Sequence, residues 1–273
     1  MKLTVNPLFQ HDKTYLDEAL AQASQTVELN PNNAVSYNER GSIYVKLGQY
    51  EQAVSDFDKA VELNPNFSEA YHRRGAIYLE WHQYERAVSD FGKVIELDPK
   101  DSMAYKMRAF SYAFLGQFER ACQDFDAAVK INPKDPEAYM NRGNTYADLG
   151  QVERAIQDYN KVIRLAPKNY TAYYNRAVAY CKLKDYKRAI QDYNQTVKLN
   201  PNYISAYHNR SVVFADLEQY ERAIKGFDKV IELDPKNANA YFDRAECWQA
   251  LGDTAKAQAD FDKARELSTA DSE

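Results

Sequence analysis

Glycine and cysteine are scarce in this chain, at nine and three of 273 residues. Among the glycines neither G-x-G-x-x-G nor G-x-x-x-x-G-K-[ST] occurs, so a phosphate-cradling loop has no support and no nucleotide cofactor is expected. Cys122, Cys181 and Cys247 form no C-x-x-C and lie among apolar neighbours. They read as buried reduced thiols of a reducing compartment. Histidine is also rare: His11, His72, His82 and His208 show neither H-x-x-x-H nor H-E-x-x-H, which removes the usual zinc arrangements. Neither sign of charge is in large excess, with 35 Lys plus Arg against 40 Asp plus Glu and a net charge of −5. The chain as a whole therefore lacks the surplus expected of a nucleic-acid binder, although a local basic patch stays open. No stretch approaches the roughly 18 apolar residues that span a bilayer. The opening MKLTVNPLFQ has no apolar h-region and does not read as a secretory leader. The expected location is the cytoplasm or a comparable reducing space.

What the chain does have is repetition. VELNPN stands at 27–32 and again at 61–66, and Pro31, Pro65, Pro99, Pro133, Pro167, Pro201 and Pro235 follow one another at intervals of 34. Each proline comes just after a run such as AVELN or VIELD, where a fixed φ and a missing N–H stop a helix. A period of this size means stacked units.

In residues 34–67, Tyr37, Gly41, Tyr44 and Leu47 form one helical stripe, and Gly48 ends that helix. Tyr50, Ala53, Val54, Phe57, Ala60 and Val61 form the stripe of a second helix, closed by Leu63 and Pro65. Gly41 and Ala53 are small where the two antiparallel helices approach, and Phe57 fills the space beside them. An aromatic at position 4, a small residue at 8, Tyr at 11, Gly at 15, Ala at 20, Phe or Tyr at 24 and Pro at 32 resembles the tetratricopeptide repeat. Full copies begin at 34, 68, 102, 136, 170, 204 and 238, preceded by a half copy over 12–32. The resemblance implies an all-α fold, a right-handed superhelical solenoid of helix-turn-helix repeats over 12–269, with tails at 1–11 and 270–273.

Two departures from the family pattern stand out. Position 7, usually leucine, is arginine in every copy: Arg40, Arg74, Arg108, Arg142, Arg176, Arg210 and Arg244. Position 23 is aspartate at Asp56, Asp90, Asp124, Asp158, Asp192 and Asp260, with Gly226 the exception. Because a half-buried guanidinium needs a carboxylate for its fork, an Arg-to-Asp ladder is expected along the stack. The apolar residues at positions 21 and 28 become Gln258 and Arg265 in the last copy, so the last helix is expected to be its own polar cap and 12–269 a finished unit.

No nucleophile, acid/base pair or metal set breaks the repeat pattern at one place, so a non-enzymatic protein is expected. The resemblance implies that the first helices line a concave groove, with positions 2, 5, 6, 9, 12 and 13 facing it. There the third copy carries Met103, Lys106, Met107, Phe110 and Phe114, an apolar patch with one charge. The fourth carries Met140, Asn141 and Asn144, and position 6 is asparagine again at Asn175 and Asn209. Such a row resembles the asparagine ladder by which some family members hold extended peptides, since an amide both donates and accepts. The asparagines can equally be solvated, and Phe110 and Phe114 can belong to the hairpin core. The carboxylate clamp of the co-chaperone subclass is absent, because Lys106 is followed by Phe110 and Asn144 is preceded by Met140. The expected partner is a protein or peptide in the groove, with no nucleic acid or membrane. A homo-oligomer joined through the apolar patch is the alternative.

Overall fold

A computed structural model describes residues 10–270, with the side chains of 14–269. Most of the expected tails, residues 1–9 and 271–273, and the His11 side chain lie outside the described residues. Among the described residues there are fifteen helices and no strand. Helix α1 (Gln10–Leu29) is followed by seven hairpins. Their first helices are α2 (Ala34–Lys46), α4 (Ser68–Glu80), α6 (Ser102–Phe114), α8 (Pro136–Asp148), α10 (Tyr170–Lys182), α12 (Ile204–Asp216) and α14 (Ala238–Ala250). Their second helices are α3 (Tyr50–Leu63), α5 (Tyr84–Leu97), α7 (Phe118–Ile131), α9 (Val152–Leu165), α11 (Tyr186–Leu199), α13 (Tyr220–Leu233) and α15 (Thr254–Ala270). The chain divides after Lys134 into two compact units, the first ending with α7 and the second beginning with α8.

Asn33, Asp101, Asp135, Asn169 and Asn237 each accept a backbone N–H with the side chain and start a first helix. A residue with positive φ then turns the chain into the second helix. Gly48, Gly116, Gly150 and Gly252 do so in four hairpins, but His82, Lys184 and Glu218 take the left-handed conformation in the others, each at φ 58°. The close approach inferred at Gly41 is real: a Cβ there would lie 2.8 Å from Phe57 Cε1. Ala53, Phe57 and Ala60 are fully buried, and the same positions repeat as core in the later hairpins.

The ladder is present. Arg40, Arg74, Arg108, Arg142, Arg176 and Arg244 each donate through Nε and Nη2 to the two oxygens of a buried aspartate sixteen residues on, at 2.6–2.8 Å. Tyrosines at positions 4 and 11 flank the guanidinium, as Tyr37 and Tyr44 do at 5.7 and 5.9 Å from Arg40. A further bond runs back to the preceding second helix: Arg74 Nη1 donates to Asp58, Arg176 to Asn160, Arg210 to Asn194 and Arg244 to Asp228. Arg210 is the broken rung. Gly226 supplies no carboxylate, Arg210 Nε is buried without a partner, and burial holds this guanidinium below the usual arginine range. Ser211 explains the glycine, because a Cβ on Gly226 would lie 1.9 Å from Ser211 Oγ. That hydroxyl donates to the Tyr207 carbonyl oxygen at 2.8 Å.

Candidate functional site

In the first unit the expected contact residues lie on α6, and they separate by burial. Met103 and Phe114 are 44% and 58% exposed. Phe114 stacks on Tyr84 with ring centroids 4.9 Å apart and meets Phe110 at 5.2 Å. Met107 instead packs against Tyr78, Ala87 and Phe91, and Phe110 against the cluster of Ala109, Tyr112, Ala121 and Phe125. Both therefore contribute mainly to hairpin cores. Lys106 corrects an expectation. Its side chain is only 4% exposed, so it does not present a charge to the groove; the four-carbon stem makes such enclosure possible.

In the second unit the amide residues are brought together, but with one another. Asn144 Oδ1 accepts from Tyr159 Oη at 3.0 Å and from Asn175 Nδ2 at 2.9 Å. Asn175 Nδ2 also lies 3.7 Å from Met140 Sδ, and Asn209 Nδ2 donates to Tyr174 Oη at 2.9 Å. The Asn141 side chain makes no hydrogen bond among the described residues. Asn175 keeps a second N–H and the carbonyl oxygen for other use, whereas the Asn209 amide is also engaged by His208 and Tyr193. A recess of about 350 Å³ opens beside this row, lined among others by Asn144, Asp148, Tyr159, Tyr174, Asn175 and Lys182. Burial raises the pKa values of the Tyr159 and Tyr174 phenols, so both remain neutral hydroxyls.

Tyr174 at position 5 and Asp148 and Lys182 at position 13 are groove positions by the family resemblance, whereas Tyr159, at position 24, was not expected at this recess. The signal for Tyr159 was there: position 24 is phenylalanine except at Tyr159 and Tyr193, and a buried hydroxyl needs a partner. A second polar contact at groove positions pairs His208 Nε2 with Asp243 Oδ2 at 2.9 Å. It is an ion contact and not an aligned hydrogen bond. Asp243 raises the histidine pKa against the opposing effect of burial.

The arrangement offers hydrogen bonds and apolar contact. Among the described residues no group of three His, Cys, Asp or Glu side chains is placed to hold a metal, and no helix is long and apolar enough to cross a membrane. Burial pushes the Cys247 thiol up to about 11, and Cys181 is also raised; these thiols stay protonated at neutral pH.

Family models described as TPR repeat match residues 110–150, 143–184 and 212–252. Models described as tetratricopeptide repeat match 34–67, 170–203, 57–89 and 91–123. No curated protein matches the chain. Among solved structures, the C-terminal part of a TPR repeat-containing protein from Cytophaga hutchinsonii superposes with a TM-score of 0.72 at 20% identity, covering 85% of this chain and 95% of that one. YrrB, described as a TPR protein with an unusual peptide-binding site, gives 0.64 at 23% identity, covering 69% and 97%. MamA from Desulfovibrio magneticus RS-1 gives 0.59 at 25% identity, covering 62% and 96%.

Proposed function

Because this chain belongs to the tetratricopeptide repeat family, whose members generally act as protein-interaction scaffolds, we propose that it is a non-enzymatic adaptor holding a peptide or helical segment of a partner protein in its concave groove. The observation that carries this reading is the bonded pair of Asn144 and Asn175 in the wall of the recess in the second unit, with Asn209 holding Tyr174 of the same wall. The Asn144 and Asn175 amides are oriented by their neighbours and keep bonding capacity, which suits a passing peptide backbone. Asn141 supplies a further amide one turn away. In the first unit, Met103 and Phe114 serve as exposed apolar anchors, with Met107 and Phe110 supporting them from below. The solved structure of YrrB, whose description names a peptide-binding site, supports the reading. The three cysteines, none of them in a disulfide, suit a reducing cytoplasm.

The test is photo-cross-linking in native extract from positions 114 and 175, followed by affinity measurement on the captured segment. Phe114→Ala with Met103→Ala should weaken that segment at least tenfold, and Asn175→Ala comparably. Unchanged affinity in both variants would remove the reading. Exposure of Phe114 also suits self-assembly through α6. Sedimentation at tens of micromolar decides, since a dimer abolished by Phe114→Ala would favour that alternative.

A further inference from the structure

Every second helix from α3 to α15 is closed by the first helix of its own hairpin. Helix α1 has no such mate among the described residues. Beside it lies a recess of about 580 Å³, walled by Leu16, Ala19 and Ala23 of α1 and by Ile43 of α2. Two acceptors face this recess without a donor. The Asn38 side chain is 4% exposed, and its Oδ1 is buried with no partner. Glu39, at repeat position 6, makes no hydrogen bond or ion pair among the described residues. In three later copies position 6 reaches back to the preceding first helix: Asn175 to Asn144, Asn209 to Tyr174, Asp243 to His208. Among the described residues no first helix stands before α2 for Glu39 to reach.

We infer that this recess seats an amphipathic helix of a partner protein, running antiparallel to α1, with a lysine or arginine directed at Glu39 and a donor for Asn38. The seat is separate from the groove contacts on α6 and on α8 to α12. Its length follows from the first helices, each of 13 residues. A helix antiparallel to α1 runs parallel to α2, which brings its negative C-terminal end toward Lys46 in the wall of the recess. Arg73, also in that wall, is already paired with Glu69, which leaves the exposed Glu39 carboxylate and Lys46 as the two charges of the wall outside an ion pair among the described residues. A buried acceptor without a donor costs free energy that a seated helix would relieve.

The probe is a 13-residue peptide with the sequence of α4 in which His72→Lys places a lysine at the fifth position. It is titrated into the isotopically labelled full chain. The expected result is amide shifts confined to α1 and α2, with Glu39→Lys weakening binding at least tenfold. Replacing the peptide's new lysine by glutamate should restore binding to the Glu39→Lys chain. Equal affinity for both chains, shifts elsewhere, or no binding in either pairing overturns the inference. So does binding that appears only after residues 1–9 are deleted, since the seat would then belong to this chain's own leading segment.

Discussion

A guanidinium that keeps its fork in six copies and loses it only in the one beginning at 204 is a natural experiment on one side chain. Arg210 differs from its counterparts because Ser211 occupies the space that a Cβ at 226 would need. Gly226→Asp alone should therefore destabilise the chain. Combined with Ser211→Ala it should restore the rung and add about 1.5–3 kcal/mol, the usual worth of hydrogen bonds to charged groups. Urea denaturation of the four chains in this cycle checks both signs. The ladder itself was legible from arginine at position 7 and aspartate at 23. The reason for its gap was not, because two residues fifteen apart compete for one space that only coordinates reveal. Lys106 was misread for a related reason: position 5 fixes the direction of a Cα–Cβ bond, while a flexible stem decides where the charge ends up. His208 carries a pH dependence. Its pKa is raised in the folded chain, so the Asp243 contact stabilises fully below about 6.5, the ordinary histidine value, and is lost as pH rises through the folded pKa. Asp243→Asn should cost most at pH 5.5 and least at pH 8.5, as read from urea midpoints, and should lower the His208 ring titration seen by NMR.

At the scale of the element, helix ends were the most readable feature. Proline after the second helix and glycine after the first set the boundaries, and the observed helices begin at the expected copy starts. The asparagine row was legible as a row, but its bonding was not, since spacing along a helix says nothing about which neighbour an amide will choose. Three hairpins turn through a non-glycine residue at φ 58°, a conformation in which a Cβ crowds the following carbonyl. Lys184→Gly relieves that strain without removing any hydrogen bond that the side chain makes. It should stabilise the chain by about 0.5–1 kcal/mol after the extra unfolded-state entropy of glycine is deducted. Thermal or urea unfolding of Lys184→Gly and Glu218→Gly gives the comparison, with Gly150→Ala as the opposite-signed control.

Within each unit, stability is a sum of hairpins and their nearest-neighbour contacts, since among the described residues helices meet those of their own and adjoining hairpins. The second unit contains four complete hairpins and all their ladder aspartates. Residues 135–273 expressed alone should therefore fold to a helical, cooperatively melting protein and keep the Asn144–Asn175 bond. Circular dichroism and the Asn175 side-chain amide signals would report it. A molten, non-cooperative fragment would show that the unit depends on what precedes it. This locality also explains why the period alone led to the architecture, whereas the amide recess, built by side chains from three helices, needed coordinates.

The ladder has one more consequence, for how such an array can change its length. Arg74 bonds Asp58 sixteen residues before it and Asp90 sixteen after. Excising residues 68–101 would bring Arg108 to the same sixteen-residue offset from Asp58, while its own Asp124 stays in step. Recombination in whole units of 34 residues thus keeps the forks in register, whereas a cut of another size between an arginine and its aspartate breaks the sixteen-residue offset. The ion pairs act as a reading frame for the protein's own genetic editing.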